Sequence, residues 1–320
     1  MSHGYDWEGE KEMIKVSRVT IFLYLLPMII TIGLITLWPI IYTFYLSFTN
    51  YTLFNSDTYG LIGFGNYQKL IFTTDTDLFF VIGQTLLYVI VCVFFFLLIG
   101  MSTALALNNQ KIKGLGFWRV ALLVPWAAPS GITALIWKFL FNYDFGPINQ
   151  IGRVFFGKGF GIPWITTPWG AFVAVVIVNV WLSYPFFTIV ILGALQSVPQ
   201  ELGEAANVDG AGAWQRFTSI TLPLLRPAIT PATILSAITT FQMFTTVYLI
   251  TQGGPITSAD KPGFTEFVMI YMYKRILGSD VANPHYAFIA AFAIMMFIIL
   301  GSATFLARSL GQSRRKEALA

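Results

Sequence analysis

The 320-residue chain has one cysteine and two histidines, and Asp, Glu, Lys and Arg together make up only 11% of it. Each scarcity excludes something. A lone cysteine, Cys92, can build neither a disulfide framework nor a cysteine metal site, and it sits inside an apolar run. His3 and His285 lie far apart, and neither has a partner at metal-ligand spacing. A charged share of 11% is less than half of the roughly 25% usual in soluble domains, which points to a membrane. The net charge of +4 does not indicate nucleic acid, because the basic residues stand in small clusters beside apolar runs. All 15 acidic residues fall in loops, termini or the ends of apolar runs. A proton- or sodium-driven carrier usually sets carboxylates inside its spans, so this argues against a proton relay, although backbone carbonyls can still bind sodium.

What the chain has in abundance is long apolar runs. A crossing helix needs about 20 mainly apolar residues. Six segments qualify: Val19–Phe48, Leu78–Leu107, Phe117–Phe141, Trp169–Leu195, Ala228–Ile250 and Tyr286–Ala307. They show no polar alternation of the barrel type, so the expected fold is all-α, a polytopic membrane protein of six helices. Pro27, Pro39, Pro125, Pro129, Pro185 and Pro231 interrupt the runs, which predicts kinked, tightly bundled helices. The first run is too long for a cleaved signal peptide. The expected divisions are a cytoplasmic segment 1–18, a membrane domain 19–310 and a cytoplasmic tail 311–320.

Lys and Arg set the orientation. One side holds Lys11, Lys15, Arg18, Lys111, Lys113, Arg119, Arg216, Arg226, Arg308, Arg314, Arg315 and Lys316; the other holds Lys69, Lys138, Arg153, Lys158, Lys261, Lys274 and Arg275. The richer side is read as cytoplasmic, with both termini inside and three loops outside. Gly152-Arg-Val-Phe-Phe-Gly157-Lys158-Gly159 resembles a phosphate loop, but Gly159 stands where a magnesium-binding hydroxyl is required. The stretch also falls in a predicted external loop. It is read as a Gly-rich loop, and no nucleophile or acid–base constellation stands out elsewhere.

The stretch 199–223, between the fourth and fifth runs, carries the main motif. Pro199 suits a first helical position, Glu201 and Glu204 sit near the positive helix end, and Gly210 supplies a stop. Leu202, Ala205 and Ala206 give an apolar face, and a second short helix through Trp214 and Phe217 is expected to lead back at Pro223. Glu204-Ala205-Ala206, then Gly210, nine residues, and Ile220-x-Leu222-Pro223 resembles the signature of permease subunits of binding-protein-dependent ABC importers. The resemblance implies a type I importer permease fold and a coupling helix. Glu204, Ala205, Ala206, Asp209 and Gly210 would meet an ATPase subunit, with Glu204 as polar anchor.

Further strings are similar to the carbohydrate branch of that family: Val124-Pro125-Trp126-Ala-Ala-Pro129-Ser130, Val178-Asn179-x-Trp181-Leu182-x-Tyr184-Pro185 and Gly253-Gly254-Pro255. They resemble the maltose-type membrane subunit whose spans form the sugar site, in a compact form without its large external insertion. By that resemblance the sugar-facing candidates are Trp126, Ser130, Asn179, Leu182, Ser183, Phe186, Ser236, Thr240 and Met243. Thr240 and Met243 stand where the maltose-type subunit has asparagines, so maltose itself is not implied. Isolated hydroxyl residues in a span also serve helix–helix hydrogen bonds, which leaves packing open for each.

The implied protein is no enzyme and binds no cofactor or metal; ATP and magnesium belong to partner ATPases. The implied partners are a second, similar permease, two ATPase subunits, an extracytoplasmic sugar-binding protein, membrane lipid and the sugar, in a prokaryotic cytoplasmic membrane. A di- or oligosaccharide is the expected cargo, with a polyol, a sugar phosphate or an acidic sugar left open, and an ion-coupled carrier as the rival class.

Overall fold

The computed structural model describes residues 17–72, 76–109, 111–258, 261–277 and 286–317. His3, His285, most of the segment 1–18 and the last three residues lie outside them. The regular structure among the described residues is helical, with a single isolated bridge between Thr49 and Leu61. In chain order the helices are α1 (Arg18–Thr31), α2 (Trp38–Ser47), α3 (Gly65–Phe72), α4 (Thr76–Asn108), α5 (Leu115–Ala127), α6 (Ser130–Leu140) and α7 (Pro147–Phe156). They continue as α8 (Pro168–Gln196), α9 (Gln200–Val208), α10 (Ala213–Arg216), α11 (Leu222–Phe241), α12 (Thr245–Thr251), α13 (Val268–Leu277) and α14 (Tyr286–Glu317).

Four helices among the described residues are long and apolar enough to cross a membrane: Arg18–Ser47, Asp77–Asn108, Pro168–Gln196 and Ala213–Phe241. Three of the expected runs are thereby matched closely. The third, Phe117–Phe141, is not one helix: α5 and α6 meet at a bend of 94°. The cause is local. A residue before proline is pushed out of the α region, and Ala128, ahead of Pro129, has ψ 134° while Pro129 itself stays extended. The fifth expected run, Ala228–Ile250, is also corrected. α10 passes through a π turn at Phe217–Thr221 into α11 without a break, so the stretch through Trp214 and Phe217 is the start of the span. That span stops at Phe241, and α12 begins afresh at Thr245 with neither Gly nor Pro between them. The sixth run is the front of α14, whose described apolar part is Tyr286–Ser302. The Gly152–Gly159 stretch is likewise mostly helix, since α7 runs to Phe156.

The core lies between α4 and α8. α5, α11 and α12 pack on α8, and α11 also meets α4; α12 lies along α6, while α14 gathers α2 and α3. Phe96, Val175, Val178, Phe187 and Ile191 are fully or nearly fully buried in this seam. Closeness is set by Gly100, where an added Cβ would fall 2.5 Å from Phe187 Cβ and 3.2 Å from its carbonyl carbon. One turn on, the hydroxyls of Thr103 and Thr188 meet at 2.6 Å. Pro125 and Pro185 remain inside helices, and the Tyr184 hydroxyl donates to Leu122 O at 3.0 Å beside the stretch that Pro125 loosens. The loop after α12 is closed by its own bonds: Thr265 Oγ1 donates to Gly254 O at 2.6 Å, and Glu266 accepts from Lys274 at 2.5 Å. Val268 N then donates to Thr85 Oγ1, and Phe267 stacks on Tyr88 at 4.3 Å, fastening the loop to α4.

A larger residue at position 100 must push two spans apart. Gly100→Val should destabilise the detergent-solubilised protein by about 1–3 kcal/mol. Gly193→Ala, where a Cβ meets nothing within 4 Å, should not. Thermal unfolding of the two variants side by side measures the difference.

Candidate functional site

Two places hold the residues that the sequence singles out. The first is the connection from α8 to α11. Pro199 turns out to be the cap residue before α9, not its first helical position, with φ −59° and ψ 130°. At the other end Gly210 has φ +77°, a left-handed conformation that costs a residue with a Cβ more than glycine. Around it Gly210 N donates to Asn207 O at 3.1 Å and Ala211 N to Ala206 O at 2.9 Å. This is the paired closure of a Schellman motif, so the helix ends where Gly210 allows. The Arg216 guanidinium bonds the Asn207 side chain and ties the helix to α10.

The expected apolar face of α9 is not packed inside the protein. Only Ala206 is buried; Leu202 is 42% exposed and Val208 is 88% exposed. Glu204, Ala205, Asp209 and Gly210 are exposed as well. Trp214, beside them, is 76% exposed. The helix is held at its ends while its outer face stays uncovered. Behind it a recess of about 420 Å³ lies between Asn108 at the end of α4, Gln196 at the end of α8, and Arg216.

The second place is a recess of about 370 Å³ where the two helix breaks face α8. Of the nine sugar-facing candidates it brings together Trp126, Ser130, Asn179, Leu182, Ser183 and Met243. Phe186, Ser236 and Thr240 do not line it; Phe186 packs edge-on against Phe187, and Thr240 is almost fully buried at the end of α11. The motif strings place residues along the chain but not around the helix axis, so they could not show which face of α8 or α11 meets the recess. The recess also takes in Thr239, on α11, and Gln242 and Thr246, at and beyond the break after Phe241, which the sequence strings did not single out. Asn179 is fully buried. Its Oδ1 accepts from Ser183 Oγ at 3.3 Å, and its amide group faces the Tyr88 hydroxyl and the Cys92 thiol. Trp126 contributes an indole at the rim and Leu182 an apolar wall.

No group of three or more His, Cys, Asp or Glu residues among the described residues could hold a metal ion. The chemistry on offer is hydrogen bonding beside an aromatic face. With Cys92 replaced by Ser, a single Cys at Ser183 should react with a small water-soluble thiol reagent, and one at Thr240 should not. Equal labelling of both would mean the recess is wrongly drawn.

Residues 96–316 match the family described as binding-protein-dependent transport system inner membrane component. A trehalose/maltose transport system permease protein of Thermococcus litoralis is 32% identical over 294 residues, covering 92% of this chain and 94% of that protein. A maltose/maltodextrin transport system permease protein of Escherichia coli is 36% identical over 220 residues, covering 68% of this chain but 42% of that longer protein. Among solved structures, a chain of a bacterial alginate ABC transporter superposes with a TM-score of 0.69 at 20% identity, over 92% of this chain and 94% of that one. That likeness concerns the fold.

Proposed function

The chain belongs to the inner membrane components of binding-protein-dependent transport systems, the non-enzymatic permease subunits of ABC importers, and from this membership we propose that it carries a sugar across the membrane. The sugar class is supported by relatives whose names specify trehalose, maltose and maltodextrin, and by a recess that combines an indole with amide and hydroxyl groups. A di- or oligosaccharide is handed over by an extracytoplasmic binding protein. A second permease pairs with this one, and two ATPase subunits supply energy with their own ATP and magnesium.

The single observation that carries the reading is the uncovered α9. Among the described residues, Leu202, Ala205 and Val208 leave an exposed apolar face on α9, whose end is fixed by the Gly210 closure. Such a face on a membrane protein fits a cleft in a partner. Glu204, Ala205, Ala206, Asp209 and Gly210 form this coupling element. ATP-driven closure of the ATPases moves it as a rigid body, and α8 and α11, which flank it in the chain, carry the motion to the recess. Alternating access follows: the loaded binding protein docks, the pathway opens outward, sugar enters, and hydrolysis resets the complex. The membrane domain spans 19–310, and both termini and α9 are cytoplasmic.

Gly210→Val removes the left-handed freedom without any clash, since an added Cβ there meets nothing within 4 Å. It should leave membrane insertion intact and cut binding-protein-stimulated ATP hydrolysis at least several-fold in the purified complex. Normal stimulation would sink the coupling role. Orientation has its own test. With Cys92 replaced by Ser, a cysteine at Gly157 should label with an impermeant reagent on intact cells and one at Ser313 should be protected. Labelling at Ser313 would reverse the topology.

A further inference from the structure

α7 stands in the chain between the end of α6 and the start of α8, and it lines neither of the two recesses. Its three polar side chains are Asn149, Gln150 and Arg153, and each is bonded to backbone of its own loop. Asn149 is fully buried; its Nδ2 donates to Tyr143 O at 3.3 Å and Ile162 O at 3.0 Å, and its Oδ1 accepts from Ile162 N at 3.0 Å. Gln150 Nε2 donates to Phe145 O at 3.0 Å. The Arg153 guanidinium donates to Phe160 O at 3.1 Å, Asp144 O at 3.0 Å and Tyr143 O at 2.9 Å. Gly152 lies so close to Phe160 that an added Cβ would strike the ring. The stretch Gly152–Gly159, which looks like a phosphate loop in sequence, has its arginine occupied by carbonyls.

The other side of α7 is the reverse of a water-facing helix. Ile151, Val154 and Phe155 share one face by helical spacing; Val154 is 81% exposed and Phe155 76%. Phe156 follows, exposed and in ring contact with Phe160. A surface helix in water turns its polar side chains outward. Here all three are tied to the loop, and the apolar ones are held out.

The surroundings say what covers them. The last turns of α6 carry Trp137 and Lys138; Trp137 leads through Phe141 to Trp164 in ring contact. Tyr143 is exposed where the loop begins, and Trp169 where α8 begins. Trp and Tyr gather where a membrane protein crosses the lipid–water boundary. The loop is also basic, with Asp144 set against Arg153 and Lys158, and Lys158 is exposed just beyond α7. A surface that docks another protein carries a polar rim, whereas the polar side chains of α7 are already bonded within the loop. An apolar face beside a lysine, at the level of an aromatic belt, matches the headgroup boundary of a bilayer.

We propose that α7 is an interfacial helix, lying along the bilayer surface with Ile151, Val154 and Phe155 among the lipid chains and Lys158 at the level of the lipid phosphates. α6 starts at the recess and ends at this loop, so the contact holds one wall of the recess to the membrane surface. The assignment does not depend on what the importer carries.

The experiment is spin labelling of the intact importer in nanodiscs of phosphatidylcholine and phosphatidylglycerol. The complex is otherwise free of cysteine, with Cys92→Ser as background and Ile151→Cys, Val154→Cys, Phe155→Cys or Gly159→Cys as single sites. At Gly159 an added Cβ meets nothing within 4 Å. Collisions of the label with oxygen, which partitions into lipid, are compared with collisions with a water-soluble nickel chelate. Labels at 151, 154 and 155 should favour oxygen, at a depth of about 5–10 Å below the headgroups, and the label at 159 should favour nickel. Loaded binding protein should leave these values unchanged. Nickel access at 151, 154 and 155 equal to that at 159 overturns the proposal. Nickel access lost only when loaded binding protein is added overturns it too, and assigns the face to docking. ATP hydrolysis stimulated by that binding protein in the same nanodiscs reports the importer reading separately.

Discussion

In a hydrocarbon layer every backbone N–H and C=O must find its partner within the protein, and a helix can be interrupted only where other protein covers the break. This constraint organises the molecule. Among the described residues two interruptions occur in the apolar helices, Ala128–Pro129 between α5 and α6 and Gln242–Phe244 between α11 and α12. Residues from both line one recess, against α8. Backbone groups released by a break can meet polar groups at a recess but not in lipid, so the breaks and the recess coincide. α6 and α12, the two half-helices that start at the recess, also pack along each other, with Gly131 close to Thr245 and Leu249.

Broken helices need a rigid neighbour, and the α4–α8 seam is that neighbour. The close approach at Gly100 and the Thr103–Thr188 pair bind two full-length spans together. Because α8 leads through Ser197, Val198 and Pro199 to α9, the seam and the exposed face of α9 are joined by a connection of only three residues. The Schellman closure at Gly210 and the Arg216–Asn207 bond keep α9 from swinging independently of α10 and α11. A loosely tethered helix would dissipate a push from a partner; one fixed at both ends transmits it.

Much of this was legible in the sequence, and the boundary is instructive. Apolar runs marked α1–α2, α4 and α8 within a few residues, since hydrophobic length needs no tertiary context. The Glu204–Gly210 string announced a helix and its stop because a left-handed terminus demands a glycine. Pro129 was visible, but so were Pro125 and Pro185, which stay inside helices. What separates them is the tertiary surrounding: the Tyr184 hydroxyl supports the carbonyls near Pro125, and nothing in one-dimensional spacing says so. The break after Phe241 has no Gly or Pro to betray it. It brought Gln242 and Thr246 to the recess, while the rotation of α11 put Thr239 there and left Ser236 and Thr240 off it.

The exposed and the buried polar groups thus divide the protein's work. On α9 the apolar side chains lie uncovered, a state that water tolerates poorly and a partner relieves. Inside the bundle the reverse holds: the side chains of Asn179 and Thr246 are covered by protein, and the Asn179 amide faces the Tyr88 hydroxyl and the Cys92 thiol. Apolar surface is left facing water at one end, and polar groups are held within the bundle at the other. The asymmetry suits a permease, which keeps its partner subunits and lets its cargo go. Hydrophobic burial over a helix face makes a lasting joint, while two or three neutral hydrogen bonds, each worth about 0.5–1.5 kcal/mol net, hold a sugar weakly enough to let it pass.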